Sequence, residues 1–302
     1  MEHFYAMVNV QATLFVYMAV GFAARRANLI TKELRTGISD LLVYVLLPCM
    51  VFNSLNQDMT MEELMAGAVI LAMAFLLSFI AWVVGWFCWR KYPPEKRNIL
   101  RYGTLVANSG FAGLPVIQGA YGPDGLFLAS IFIIANRVLM WSAGISMFTK
   151  GKKSDMIRKV LLNPGIIAVF LGLVWMLLDL PLPAFCDKAI SAMGSATSPI
   201  SLIVVGAVLA EVDWRGVFEK DVFLASAIRL ILLPVMALAI MRLLNFDSLS
   251  TAVAVILTGM PIGSTTVILG QKYGADALFA SKTVFVSTLF SLITIPLLTL
   301  FL

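Results

Sequence analysis

Two short runs concentrate the polar chemistry of an otherwise apolar chain: Ala107-Asn108-Ser109-Gly110-Phe111-Ala112-Gly113-Leu114-Pro115 and Thr258-Gly259-Met260-Pro261-Ile262-Gly263-Ser264-Thr265-Thr266. Glycine weakens a helix interior, and proline removes a backbone donor while its ring crowds the preceding turn, so each run is expected to unwind a helix locally. The breakers are Gly110, Gly113 and Pro115 in the first run and Gly259, Pro261 and Gly263 in the second. Unwinding frees N–H donors at two half-helix N-termini, whose partial positive charge suits an anion. Asn108, Ser109, Ser264, Thr265 and Thr266 add side-chain hydrogen bonds, and the combination favours a carboxylate ligand. Glycine and proline also serve as plain kinks or close-packing points in membrane helices. Two clusters at equivalent places, each with polar neighbours, weigh against that blander account.

One further charge points the same way. Arg137 lies near the middle of an apolar run, roughly 17 Å from either end at 1.5 Å per residue, too deep for its side chain to reach water easily. It is a candidate for anion binding or gating. Arg229 and Lys282 lie nearer one end of their runs and are expected to reach lipid headgroups along their aliphatic stems.

Catalysis finds little to use. His3 is the only histidine, and Cys49, Cys88 and Cys186 are isolated, so no zinc or iron–sulfur spacing can be assembled. No Ser–His, Cys–His or paired-carboxylate arrangement falls within an apolar run. The chain therefore reads as binding its ligand without converting it: no metal, no cofactor, no enzyme.

The elements that hold these residues follow from composition. Of 302 residues 60% are hydrophobic and only 13% charged, against roughly a quarter charged in a soluble domain, and no water-soluble core absorbs that much apolar surface. The apolar residues fall into runs of about twenty, the helix length that crosses roughly 30 Å of hydrocarbon, without the period-two alternation of a barrel strand. Ten transmembrane helices are expected, at 7–24, 36–55, 64–88, 99–121, 125–148, 161–179, 188–210, 222–242, 250–271 and 277–301. The first run has no basic segment before it and is followed by Arg25-Arg26, the reverse of a secretory signal, so it is expected to remain in the mature protein.

Loop charge sets the orientation. The odd-numbered loops hold 17 Lys and Arg, while the even-numbered loops and termini hold only Lys188 and Arg242. This bias places the odd loops in the cytoplasm and both termini outside a cell inner membrane. It also accounts for the net charge of +5 through anionic lipid, with no nucleic-acid partner.

The chain repeats itself. Tyr121-Gly122-Pro123-Asp124-Gly125-Leu126-Phe127 returns as Tyr273-Gly274-Ala275-Asp276-Ala277-Leu278-Phe279, an offset of 152 residues. With a one-residue slip, Val116-Ile117-x-Gly119 corresponds to Val267-Ile268-x-Gly270. Residues 1–150 and 151–302 thus read as two five-helix repeats. An odd number of helices inverts the second copy, the architecture of many secondary transporters, in which paired broken helices, here the fourth and ninth, mark the substrate site.

At these residues the chain resembles the auxin efflux carrier family, which includes plant auxin exporters and bacterial malate or malonate permease-like members. Leu42-Val43-Tyr44-Val45-Leu46-Leu47-Pro48 is similar to the family's second helix and Asn108-x4-Gly113-x-Pro115 to its first crossover. Pro199-Ile200-Ser201-Leu202 with Gly206 is similar to its seventh helix, and Pro261-x-Gly263 followed by Lys272-Tyr273 to its second crossover. The resemblance implies a scaffold of helices 1, 2, 6 and 7, a transport unit of helices 3–5 and 8–10, and elevator-like movement of a small organic anion, with Asn108 as the substrate-contacting amide. A homodimer through the scaffold helices is one possible assembly, and the sequence leaves the oligomeric state open. The connector between halves, about Lys150 to Val160, is short, as in the bacterial type.

Other readings stay open at this point: export of amino acids or other weak acids including auxin-like compounds, a channel, or a membrane sensor that binds without moving its ligand. No Asp or Glu lies deep in a span, which disfavours a sodium/proton antiporter and leaves Na+ coupling, H+ coupling and uniport undecided.

Overall fold

A computed structural model describes residues 2–55, 61–144, 146–148, 158, 161–162, 164–178, 181–211, 217 and 219–302. Among them the architecture is all-helical, with a single antiparallel bridge as the only extended pairing. In chain order the α-helices are α1 (Glu2–Arg26), α2 (Lys32–Leu41), α3 (Leu47–Leu55), α4 (Met61–Cys88), α5 (Pro94–Leu105), α6 (Leu114–Leu139), α7 (Pro164–Leu177), α8 (Ala184–Leu209), α9 (Lys220–Ala227), α10 (Leu233–Leu243), α11 (Ser248–Thr258), α12 (Thr265–Lys272) and α13 (Ala277–Thr299).

Wider π turns join several of these segments, at Leu42–Leu46, Ser109–Gly113, Met140–Gly144 and Ile228–Leu232. Three of them run into Leu47-Pro48, Leu114-Pro115 and Leu233-Pro234, and the N–H of Leu47, Leu114 and Leu233 donates five residues back, to Leu42, Ser109 and Ile228. Proline has no N–H for its own turn and its ring crowds the carbonyl four residues earlier; a widened turn just upstream relieves that crowding.

Among the described residues six helices are long and apolar enough to cross a membrane: Lys32–Asn53, Met65–Cys88, Ser109–Gly144, Ala184–Leu209, Lys220–Leu243 and Ala277–Thr299. Pro164–Trp175 and Ser248–Thr258 are shorter apolar helices. The 36 residues of Ser109–Gly144 would make about 54 Å of straight helix, well beyond one crossing. They do not run straight, because Gly122 (φ 63°, ψ −155°) breaks the helix ahead of Pro123. The segment expected at 99–121 is accordingly divided between α5 and the first part of α6, and that at 250–271 between α11 and α12. Of the connector between the halves, residues 149–160, only Arg158 lies within the described residues.

Helices α1 and α3 pack on α8, and α7 packs on α3, while α4, α5, α6 and α9–α13 form a second set. The α1–α8 contact is the closest: a Cβ at Gly21 would collide with the Ile203 carbonyl, and one at Gly206 with the Met18 carbonyl. Small residues let helix backbones approach in this way where hydrocarbon gives no hydrophobic drive to associate. The largest core cluster joins the sets, with Leu14 and Met50 on one side and Ile117, Phe127, Leu257 and Met260 on the other. Large apolar side chains such as Phe15, Tyr44, Phe79 and Phe170 stay exposed, as expected where the solvent is lipid.

Candidate functional site

The two interrupted runs meet inside the protein. Helix α5 stops at Leu105 and leads through extended Val106 (φ −101°, ψ 109°) to Asn108 (φ −78°, ψ 46°). In the second run α11 stops at Thr258 and α12 begins only at Thr265. Between them the Asn108 N–H donates to the Pro261 carbonyl (2.8 Å) and the Gly263 N–H to the Val106 carbonyl (3.0 Å), a bridge centred on Ala107 and Ile262. Unwound backbone in hydrocarbon must find partners within the protein, and each run supplies the other's. Pro261 has no N–H to give, but its carbonyl is free to accept.

Neighbouring side chains complete the accounting. The Ile262 N–H donates to Ser287 Oγ (3.2 Å), and Ser201 Oγ donates to the Phe111 carbonyl (3.0 Å). The N–H groups of Ala112 and Gly113 share the Asn108 carbonyl, both at 3.1 Å. Ser109 Oγ accepts from Asn136 Nδ2 (3.2 Å), and Thr265 Oγ1 lies 3.0 Å from the Tyr102 hydroxyl. Asn108, 6% exposed, makes no side-chain cap hydrogen bond, and Thr266 Oγ1 is buried without a partner. The Thr266 hydroxyl is thus a buried polar group that no described protein atom satisfies. Ser264 stands half-buried at the N-cap of α12, with no side-chain cap of its own.

The glycines explain themselves by proximity. A methyl at Gly110 would collide with Arg137 Nη2, one at Gly113 would lie 2.7 Å from Leu257 Cδ2, and one at Gly259 would lie 2.9 Å from Leu298 Cδ1. Gly263 would place a Cβ 3.3 Å from the Val106 carbonyl of the opposite run. Pro115 follows the widened turn Ser109–Gly113, which makes room for its ring, and the Phe111 carbonyl four residues back accepts from Ser201 Oγ in place of the missing N–H.

Two arginines flank this bridge. Arg137 brings its guanidinium against Gly110 in the first run, with Met140 Sδ 3.9 Å from Nη1. Arg229 corrects the expectation drawn from its depth: it does not reach outward but is 3% exposed, donating from Nη1 to the Thr104 carbonyl (2.8 Å) and from Nε to the Met260 carbonyl (3.0 Å). Among the described residues neither arginine joins an ion pair. Lys282, also buried, pairs with Glu219 (2.8 Å) instead of extending to headgroups. Sequence reading therefore missed Arg229, Ser287, Asn136 and Ser201 as neighbours of the bridge. Position along a run gives depth, but not the face on which a side chain emerges.

A small cleft of about 20 Å³ opens beside Met260 and Pro261, walled by Met18 of α1, Leu202 of α8 and Ile295 of α13. Its lining is apolar apart from the hydroxyls of Thr288 and Ser291.

The sequence pattern of the membrane transport protein family matches this chain over residues 6–299. The chain belongs to that family, the auxin efflux carriers. Several curated proteins resemble it over most of their length. An uncharacterized transporter of Methanocaldococcus jannaschii is 25% identical, over 96% of this chain and 97% of its own length. Another, from Methanothermobacter thermautotrophicus, is 26% identical over 94% and 95%. A Rhizobium meliloti protein provisionally named a malonate transporter is 24% identical over 85% and 84%. The auxin efflux carriers are membrane transport proteins, and the bridged interruptions are where this member's polar groups converge.

Proposed function

We propose that the chain is a secondary carrier of small organic anions, dicarboxylates such as malonate or malate, bound at the bridge between the two interrupted helices. The observation that carries this reading is the pairing of the two runs. The backbone of Asn108 pairs with the second run, the Thr266 hydroxyl just past that run has no partner among the described residues, and the Arg137 guanidinium lies against Gly110 with no carboxylate partner in the described ion pairs. Asn108, Ser109, Gly110, Gly113, Pro115, Arg137, Gly259, Pro261, Gly263, Ser264 and Thr265 are the proposed site.

In this reading ten spans form two inverted five-helix repeats, residues 1–150 and 151–302, in a cell inner membrane with both termini outside. Spans 1, 2, 6 and 7 form a scaffold that also mediates dimerisation, and spans 3–5 and 8–10 move as an elevator. Gly122 (φ 63°) and Gly274 (φ 70°) support the repeat: among the described residues they are the only positive-φ glycines, and they stand at the repeat offset. The ion pairs support the division into units. Arg25 and Arg35 bind Glu211 within the proposed scaffold, and Lys96 and Lys282 bind Glu219 within the proposed moving unit. Motion between the units would break none of these pairs.

A second reading, export of weak acids with a larger apolar body, draws on the apolar lining of the cleft. Uptake of labelled malate, malonate and a neutral control into proteoliposomes, with and without sodium and pH gradients, separates the two. Saturable uptake of one dicarboxylate, lost in Asn108→Ala while that variant remains membrane-inserted, is expected; no movement of any dicarboxylate would overturn the assignment.

A further inference from the structure

We infer that Arg229 is a built-in cation of the crossover, holding permanently the place where the carbonyl ends of the two interrupted helices would otherwise call for a bound metal ion, so that the carrier needs no sodium. The last carbonyls of a helix have no intrahelical donor and carry partial negative charge. Here two such ends converge. The Thr104 carbonyl belongs to the last turn of α5, and the Met260 carbonyl lies two residues beyond the end of α11. In carriers built on broken helices, carbonyls of this kind coordinate the coupling ion. Arg229 donates to both, at 2.8 and 3.0 Å, from a side chain that is 3% exposed.

Its placement is local chemistry. Arg229 sits in the π turn Ile228–Leu232 that precedes Leu233-Pro234, and among the described residues it forms no ion pair and donates to those two carbonyls. A guanidinium stays charged at every physiological pH and offers a rigid fork of donors, whereas sodium would need these same oxygens and would meet a fixed positive charge. One residue thus ties both halves of the crossover together and excludes a free cation from it.

The geometry stands independently of the cargo; only the statement about sodium-free transport rests on the carrier reading above. The test uses the full-length purified protein and compares thermal unfolding in sodium, choline and guanidinium chlorides at equal, low ionic strength, alongside proteoliposome uptake. Wild type is expected to unfold and to transport alike in sodium and choline. Arg229→Ala leaves two buried carbonyls without a donor, so its uptake is expected to fall by about tenfold or more and its unfolding temperature by several degrees. Both should recover partly in sodium or guanidinium and not in choline. Stabilisation of wild type by sodium over choline, or an Arg229→Ala protein as stable as wild type and indifferent to the cation, would overturn the inference. Should Arg229→Ala fail to fold, Arg229→Lys takes its place: cation-indifferent unfolding near wild type supports the inference and sodium dependence refutes it. If unfolding follows the expected pattern while no organic acid is transported, the built-in cation stands and the cargo assignment falls.

Discussion

Gly110 and Arg137 test the site at the scale of single atoms. A methyl on Gly110 would occupy the space of Arg137 Nη2, so Gly110→Ala must push the guanidinium off the first run. Uptake is expected to drop by about tenfold, and the effect should largely vanish in an Arg137→Ala background, as for two residues that act through one contact. Transport measured at the four corners of that cycle decides it; an equal loss in both backgrounds would disconnect the pair. Residues of this kind were partly legible in the sequence. Asn108, Pro261 and Gly263 announced themselves because breakers and amides are conspicuous in an apolar run. Ser287 did not, because a lone serine in a membrane helix ordinarily satisfies its own backbone, as Ser287 also does toward Val284 (3.1 Å). Arg229 was misjudged for another reason: its partners are carbonyls, which every residue possesses and no sequence pattern marks.

Between helices, Glu219 acts as a clasp. It precedes α9 and accepts from Lys96 of α5 (3.2 Å) and Lys282 of α13 (2.8 Å), which hold its carboxyl below the usual glutamate range, Lys282 contributing most. A carboxylate whose folded-state pKa is depressed stabilises the fold above its ordinary value, about 4.3, and loses that contribution as pH falls through the lowered one. Glu219→Gln should therefore cost up to about 1 kcal/mol near neutral pH, screening included. The difference from wild type should fade below pH of about 4, a trend that unfolding of both proteins across pH would record. The ion pair was invisible beforehand because Lys282 lay inside an apolar run and Glu219 outside one. Helix positions were easier to foresee than helix shapes. Apolar run length gave the long segments, but a π turn adds one residue without altering composition, so Leu42–Leu46 and Ile228–Leu232 read as ordinary helix. Their prolines, Pro48 and Pro234, were the signal available.

For the molecule as a whole the decisive question is whether its halves point in opposite directions. In a chain with Cys49, Cys88 and Cys186 replaced by serine, single cysteines at Asp124 and Ala275 stand in the two copies of the repeated segment. An impermeant maleimide is expected to label Asp124→Cys from outside intact cells and Ala275→Cys only once the interior is opened. Labelling of both from one side would end the inverted-repeat reading. The expectation rests on a period of 152 residues and the charge of the loops, both properties of the chain as text, and the labelling decides it. The contact of α1 with α8 was legible only as scattered glycines, yet it bears on how such a protein can work. Where Gly21 and Gly206 let backbone rest on backbone, no rotamer can change and no side chain can repack. That joint has one position only, like a riveted plate, and whatever gives way during a cycle must do so where side chains form the boundary, along α1 against α13 and α3 against α6.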